Sequence, residues 1–105
     1  MNLNDPSEQS FTPLLTICMP VFNSEKTLHQ SLNSLLKQTF QNFKLIISDN
    51  ASTDLTQKIC EDYIKKDKRI EYFRQKKNYG SLKNSNSILE KVKTKYFILA
   101  ASDDL

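Results

Sequence analysis

Short, nearly continuous apolar runs alternate along this chain with stretches whose apolar residues recur every three or four positions. Leu14 to Met19 (LLTICM) is the first run, and its near-continuous apolar character predicts a strand covered on both faces. Pro20 is expected to end it. A helix is expected from about Ser24, a good N-cap residue after the turn-former Asn23. Its apolar stripe is Leu28, Leu32, Leu35 and Leu36, spaced to lie on one face. Phe43 to Ser48 (FKLIIS) predicts a second strand, running into the polar turn DNASTD. The second helix takes Ser52 as its cap and Asp54 in its first turn, where a carboxylate favours the positive helix end. Its stripe is Leu55, Ile59, Tyr63 and Ile64. Ile70 to Phe73 reads as the third strand. A basic loop then leads to the single glycine, Gly80, and to a helix over 81–92 burying Leu82, Ile88, Leu89 and Val92. Lys95 to Ser102 (KYFILAAS) is the fourth strand and delivers the chain to Asp103 and Asp104.

Strands alternating with helices predict an α/β fold built on a parallel sheet. Crossovers between parallel neighbours are right-handed, which favours a Rossmann-like three-layer sandwich. Its mostly parallel sheet of about four strands has the order 3-2-1-4, with helices on both faces. Residues 1–13 read as a polar arm and 14–105 as the folded unit. The direction of winding reverses between strands one and four, and ligands in such sheets bind beyond the carboxyl ends of the strands at that point. Three strands end there in polar clusters: Pro20 to Asn23, Ser48 to Asn50, and Ser102 to Asp104. Adjacent carboxylates repel, and a hard divalent cation bridging to phosphates, Mg²⁺ or Mn²⁺, would resolve the repulsion at Asp103 and Asp104. Asp49 is placed to accept hydrogen bonds from a base or ribose. Asn50, Ser52 and Asp54 also suit an Asx turn with a helix cap, and His29 suits a helix surface.

Composition narrows the function classes. A hydrophobic content of 38% and a charged content of 26% fit a globular protein. No apolar run approaches the ~20 residues of a membrane-spanning helix, and the first dozen residues lack the basic start and apolar block of a signal peptide. Two cysteines, Cys18 and Cys60, are too few for a disulfide scaffold and read as buried thiols, which points to the cytosol. Eleven of the fifteen Lys and Arg fall between Lys65 and Lys95, a balance suited to a phosphate-bearing ligand or an anionic membrane surface. Of the aromatic residues in that stretch, Tyr72 and Phe73 read as strand residues and Tyr79 as a loop residue, which does not favour a nucleic-acid site. One glycine excludes a dinucleotide fingerprint and a phosphate loop, and no Cys/His spacing fits zinc.

TICMPVFNSEKTLHQSLNSLLKQTFQNFKLIISDNASTD, followed at a distance by KNYGSLKNSNSILEKVKTKYFILAASDD, resembles the family 2 glycosyltransferases, inverting enzymes with a nucleotide-diphospho-sugar transferase (GT-A) fold. The likeness covers about Leu15 to Leu105. It implies that Pro20, Val21, Phe22 and Asn23 line the nucleotide pocket and that Asp49, with Asn50, meets the nucleobase. Asp103 would lie near ribose and diphosphate, and Asp104 with Asp103 would hold the metal. An Arg frequent in the third helix of that family is Ser85 here, leaving Lys83 or Arg74 to stand in. The acidic motif begins with Ala101 where many members have Asp, and Asp49-Asn50-Ala51-Ser52 stands where Asp-Asp-Gly-Ser is frequent. The resemblance implies a nucleotide-diphospho-sugar donor, a divalent metal, and a saccharide or lipid-linked acceptor in glycan biosynthesis. The location implied is the cytoplasm, at the inner face of a membrane. Because the likeness stops at the acidic motif, the acceptor site and general base are expected beyond it, with little transfer by this chain alone. A non-catalytic adaptor docking on another chain, or on a second copy, is the alternative.

Overall fold

The computed structural model describes residues 13–101. Among the described residues four strands form one parallel sheet in the order β3-β2-β1-β4: β1 Leu15–Val21, β2 Phe43–Asp49, β3 Ile70–Arg74 and β4 Tyr96–Leu99. Three helices connect them, α1 Leu28–Lys37, α2 Thr56–Lys66 and α3 Ser81–Leu89. The order and parallel direction are those expected from the sequence.

Period-2 alternation divides the sheet's side chains between two cores. Ile17, Met19 and Val21 of β1 and Leu45 and Ile47 of β2 face Leu28 and Leu32 of α1 and Ile59, Cys60 and Tyr63 of α2. On the opposite face Cys18 and Ile46 pack against Ile88 of α3. Helices therefore cover both faces, the larger core lying under α1 and α2. No helix among the described residues is long and apolar enough to cross a membrane.

Several boundaries differ from expectation for identifiable reasons. Pro20 does not end β1; it pairs with Ser48, and the strand runs on to Val21. Tyr96 and Ala100 donate their backbone N–H groups to Leu14 and Cys18, so the even-numbered residues of β1 face β4. Cys18 is the last residue that β4 pairs. The N–H that Pro20 lacks is thus missing on the side where the ladder already stops. Winding starts at Ser24, whose carbonyl accepts from Thr27 and Leu28 at 3.1 and 2.9 Å, but the regular helix begins at Leu28. Likewise α2 begins at Thr56 rather than beside Ser52, which leaves Leu55 exposed, and Ile64 falls off the buried stripe. Helix α3 ends at Leu89, short of Val92. Leu82 is 74% exposed instead of buried, because Asn84 and Ile88, one turn apart, form the face that meets the sheet. Strand β4 ends at Leu99, and all four of its residues are about half exposed.

Candidate functional site

The carboxyl ends of β1, β2 and β3 are joined by hydrogen bonds between loops distant in sequence. Asp49, the last residue of β2, is 0% exposed. Its Oδ1 accepts from the Ser52 backbone N–H at 2.9 Å and from Ser52 Oγ at 2.6 Å. Its Oδ2 accepts from Tyr72 Oη at 2.7 Å and Arg74 Nη1 at 3.3 Å. Arg74 Nη2 also donates to the Ser52 carbonyl at 2.8 Å. Burial, then the hydrogen bond to Asp49 and its charge, push the Tyr72 phenol well above its ordinary range. Both Asp49 oxygens are therefore committed to protein donors, as a buried carboxylate requires.

The turn after β1 is laced to the turn after β2. Asn23 N–H donates to Ser52 Oγ at 2.8 Å, and Asn23 Oδ1 accepts from Thr53 N–H at 2.8 Å. Ser24 N–H donates to Thr56 Oγ1 at 2.7 Å and Glu25 N–H to Asp54 Oδ2 at 3.2 Å. Asp54 Oδ1 accepts from Thr56 N–H at 2.9 Å, the Asx-type arrangement expected at the start of a helix. Burial opposes ionisation of Asp54, but the hydrogen bonds from Thr56 and Glu25 outweigh it and hold the carboxyl below its usual value. Two residues take left-handed backbone, Asn23 at φ 46° and Ala51 at φ 63°. Asn tolerates that region; Ala does not do so readily.

A second set of bonds docks α3 and the loop before it. Asn50 is buried; its Nδ2 donates to Asn78 Oδ1 at 2.7 Å and its Oδ1 accepts from Tyr79 N–H at 2.9 Å. Ser48 Oγ donates to Asn84 Oδ1 at 2.6 Å, and Asn84 Nδ2 donates to the Ser48 carbonyl at 3.0 Å. Gln75 Nε2 reaches both Ser48 and Ser87. Ser48 and Asn50 belong to the polar cluster expected at the end of the second strand; of the others, Asn84 alone left a trace in the sequence, as a polar residue four positions before Ile88 on one helix face.

Beside these bonds lies an open hollow of about 510 Å³ lined by Pro20, Phe22, Asn23, Ser24 to Thr27, Asp54 and Ala101. It sits where the ends of β1 and β4 diverge, the place that the strand order singles out. Pro20, Phe22 and Asn23 meet there. Val21 does not line it: at 2% exposure it packs into the larger core with Ile17 and Met19. Asn50 is turned to the α3 loop, Lys83 is exposed on α3, and Asp103 and Asp104 lie outside the described residues. Among the described residues no group of three His, Cys, Asp or Glu could hold a metal ion. Of the carboxylates at this edge, Asp49 and Asp54 already accept from protein donors, and Glu25 lines the hollow. A depression of about 490 Å³ at the opposite edge, around Phe43, Lys44 and Arg69, lies away from every strand's carboxyl end.

A parallel 3-2-1-4 sheet with a polar hollow at its switch point defines a Rossmann-like α/β protein. The family follows from comparison with known proteins. The model for glycosyl transferase family 2 matches residues 16–105, and the chain belongs to that family. An uncharacterized glycosyltransferase of Haemophilus influenzae is 41% identical over 92 residues, covering 88% of this chain and 37% of the relative. A putative teichuronic acid biosynthesis glycosyltransferase of Bacillus subtilis, TuaG, is 30% identical over 95 residues, covering 90% of this chain and 38% of the relative. The crystal structure of S. aureus TarS 1-349 in complex with UDP-GlcNAc superimposes with a TM-score of 0.78 at 32% identity, covering 85% of this chain and 26% of that one. The chain spans little more than a third of the length of these two curated relatives.

Proposed function

We propose that this chain forms the donor-binding region of a glycosyltransferase that moves a sugar from a nucleotide-diphospho-sugar to a saccharide or lipid-linked acceptor in glycan biosynthesis. The observation that carries this reading is the hollow at the end of β1, lined by Pro20, Phe22 and Asn23, in a chain of this family. The UDP-GlcNAc complex of TarS supports a nucleotide-sugar as the ligand class, and the TuaG relative supports a surface polymer as the destination. Phe22, 45% exposed at the mouth, would stack on the base. The bonded turns at Asn23 and Ser52 would set the shape of the pocket. Lys83, at the start of α3, would face the diphosphate as a point charge. Asp104 with Asp103 would hold Mg²⁺ or Mn²⁺, which when bound stabilises charge on the leaving diphosphate. The acceptor oxygen would attack the anomeric carbon in line with that leaving group, inverting it. No described residue is assigned as the base.

The free, buried cysteines Cys18 and Cys60 and the basic stretch through Lys91, Lys93 and Lys95 support a cytoplasmic location against an anionic membrane face. The half-exposed apolar strand β4 favours a second reading, a chain that docks on another polypeptide or a second copy.

Calorimetric titration of UDP, GDP and dTDP, each with and without Mn²⁺, tests the proposal on the chain and on Asp104→Asn. The expected outcome is binding of one nucleotide that Mn²⁺ strengthens and that the variant weakens by about tenfold or more. Absence of binding by the folded chain would overturn the donor-site reading and favour docking.

A further inference from the structure

The residues that shape the Asn23 turn extend to β3, the far edge of the sheet. From Tyr72 Oη the path runs 2.7 Å to Asp49 Oδ2 and through that carboxylate to Ser52 Oγ, 2.6 Å from Oδ1. Ser52 Oγ then accepts the Asn23 N–H at 2.8 Å. Arg74 runs in parallel, bonding Asp49 Oδ2 at 3.3 Å and the Ser52 carbonyl at 2.8 Å. These bonds converge on the two left-handed residues of the edge, Ala51 and Asn23. Such conformations persist only when their surroundings over-determine them. The links are orientational: with its single hydrogen donated to Asp49, the Ser52 hydroxyl presents a lone pair to Asn23.

We propose that Tyr72 is a positioning residue for the ligand hollow, acting through Asp49 and Ser52 to hold the left-handed turn at Asn23, with Arg74 fixing the same Ser52 from its carbonyl side. Asp49 then serves as the hub of this relay from within the protein. Tyr72 touches no part of the hollow, whose lining comes from the β1 end, Asp54 and Ala101. Removing its hydroxyl leaves Asp49 with a donor fewer in a buried place, where charged hydrogen bonds matter most. The carboxylate then has freedom to rotate toward Arg74, and the Ser52 hydroxyl loses its fixed direction. The part of the proposal that concerns ligand affinity rests on the donor-site reading; the turn itself does not.

The test is amide hydrogen exchange by NMR on the folded chain, comparing Tyr72→Phe, Ser52→Ala, the double variant, and Tyr63→Phe. Tyr63 also loses a hydroxyl hydrogen bond, to Asn33, but lies off the path. Tyr72→Phe is expected to accelerate exchange at Asn23 and Thr53 by about tenfold, while Asn84 and Ile59 keep their protection. Ser52→Ala gives the same local pattern, and the double variant adds little to it, as members of one network should. Tyr63→Phe leaves the Asn23 amide unchanged. Uniform acceleration at all four amides would mean a role in global stability only and would overturn the relay, as would full additivity of the two changes. If a nucleotide binds, Tyr72→Phe weakens it about three- to tenfold and Tyr63→Phe does not. If none binds to the native chain, the donor-site reading fails while the exchange data still decide the relay.

Discussion

Replacing Ala51 with glycine is expected to stabilise this protein, although it removes a methyl group from a half-buried turn. Ala51 sits at φ 63°, where an L side chain meets its own following carbonyl at a cost of about 1–2 kcal/mol. Glycine has no such penalty, but it frees the unfolded chain by about 0.4–1 kcal/mol. The difference leaves a net gain of about 0.5–1 kcal/mol for Ala51→Gly. Unfolding a chain of 105 residues carries an entropy of about 0.2 kcal/mol/K, so the melting temperature should rise by about 2–5 °C. Position 51 corresponds to the glycine frequent in the second-turn pattern of the family, and the left-handed backbone supplies a physical reason for that glycine. The reverse experiment is available at Gly80, whose φ 93° and ψ 158° lie in a region that only glycine enters freely. A Cβ built there meets nothing within 4 Å, so Gly80→Ala tests torsion without a clash. Its expected cost is about 1–3 kcal/mol, or a fall of about 5–14 °C. Thermal unfolding followed by circular dichroism, with urea unfolding as a check on two-state behaviour, measures both. A lower melting temperature for Ala51→Gly together with an unchanged one for Gly80→Ala would refute the torsional argument.

Two other predictions concern the edge strand and acid stability. Phe97 and Ile98, 50% and 48% exposed, form an apolar rim on β4, an edge strand among the described residues, so the 105-residue polypeptide is expected to self-associate as its concentration rises. Ile98→Lys should shift the population toward monomer in sedimentation velocity while the chain stays folded, since a lysine stem covers apolar surface; a wild-type chain monomeric at every concentration would contradict this. The Arg69 guanidinium grips Asp67 through Nε and Nη2 at 3.0 and 2.7 Å. That hydrogen bond, helped by the Arg69 backbone N–H and the guanidinium charge against opposing burial, holds the Asp67 carboxyl below its ordinary 3.8. Because the folded-state value is the lower one, its stabilisation is complete above about pH 4 and is lost as pH falls through the folded value. Urea unfolding should therefore show Asp67→Asn less stable than wild type near neutrality and the gap closing as the pH falls below the ordinary carboxylate value. A gap independent of pH would exclude linkage through Asp67.

The elements of this fold were legible because each rests on information local in the chain. Leu14 to Met19 and Phe43 to Ser48 are short apolar runs bounded by turn residues, the pattern of buried strands, and right-handed crossovers then limit the orders they can take. The errors fall where a boundary depends on a neighbour. Pro20 looked like a stop because a missing N–H breaks a ladder; whether it does depends on which side the missing donor faces, and that follows from where β4 ends. Leu82 and Leu55 were assigned to buried stripes by spacing alone, yet Asn84 is buried in Leu82's place because Ser48 waits across the interface with a donor and a carbonyl. A polar residue on a buried stripe is a sign of a partner, and the partner, 36 residues away, is visible only once the sheet is assembled. The site divides along the same line. That Pro20, Phe22 and Asn23 gather at the switch point followed from strand order, and period-2 alternation could have removed Val21 from the group, since it shares the face of Ile17 and Met19. The work done by Asp49 could not be read in this way. Its acceptors are saturated by Ser52, three residues on, and by Tyr72 and Arg74 from an adjacent strand whose register sets the distance. The same acidic residue at the same strand end can meet a ligand or brace a turn, and only the donors that the register brings to it decide between the two.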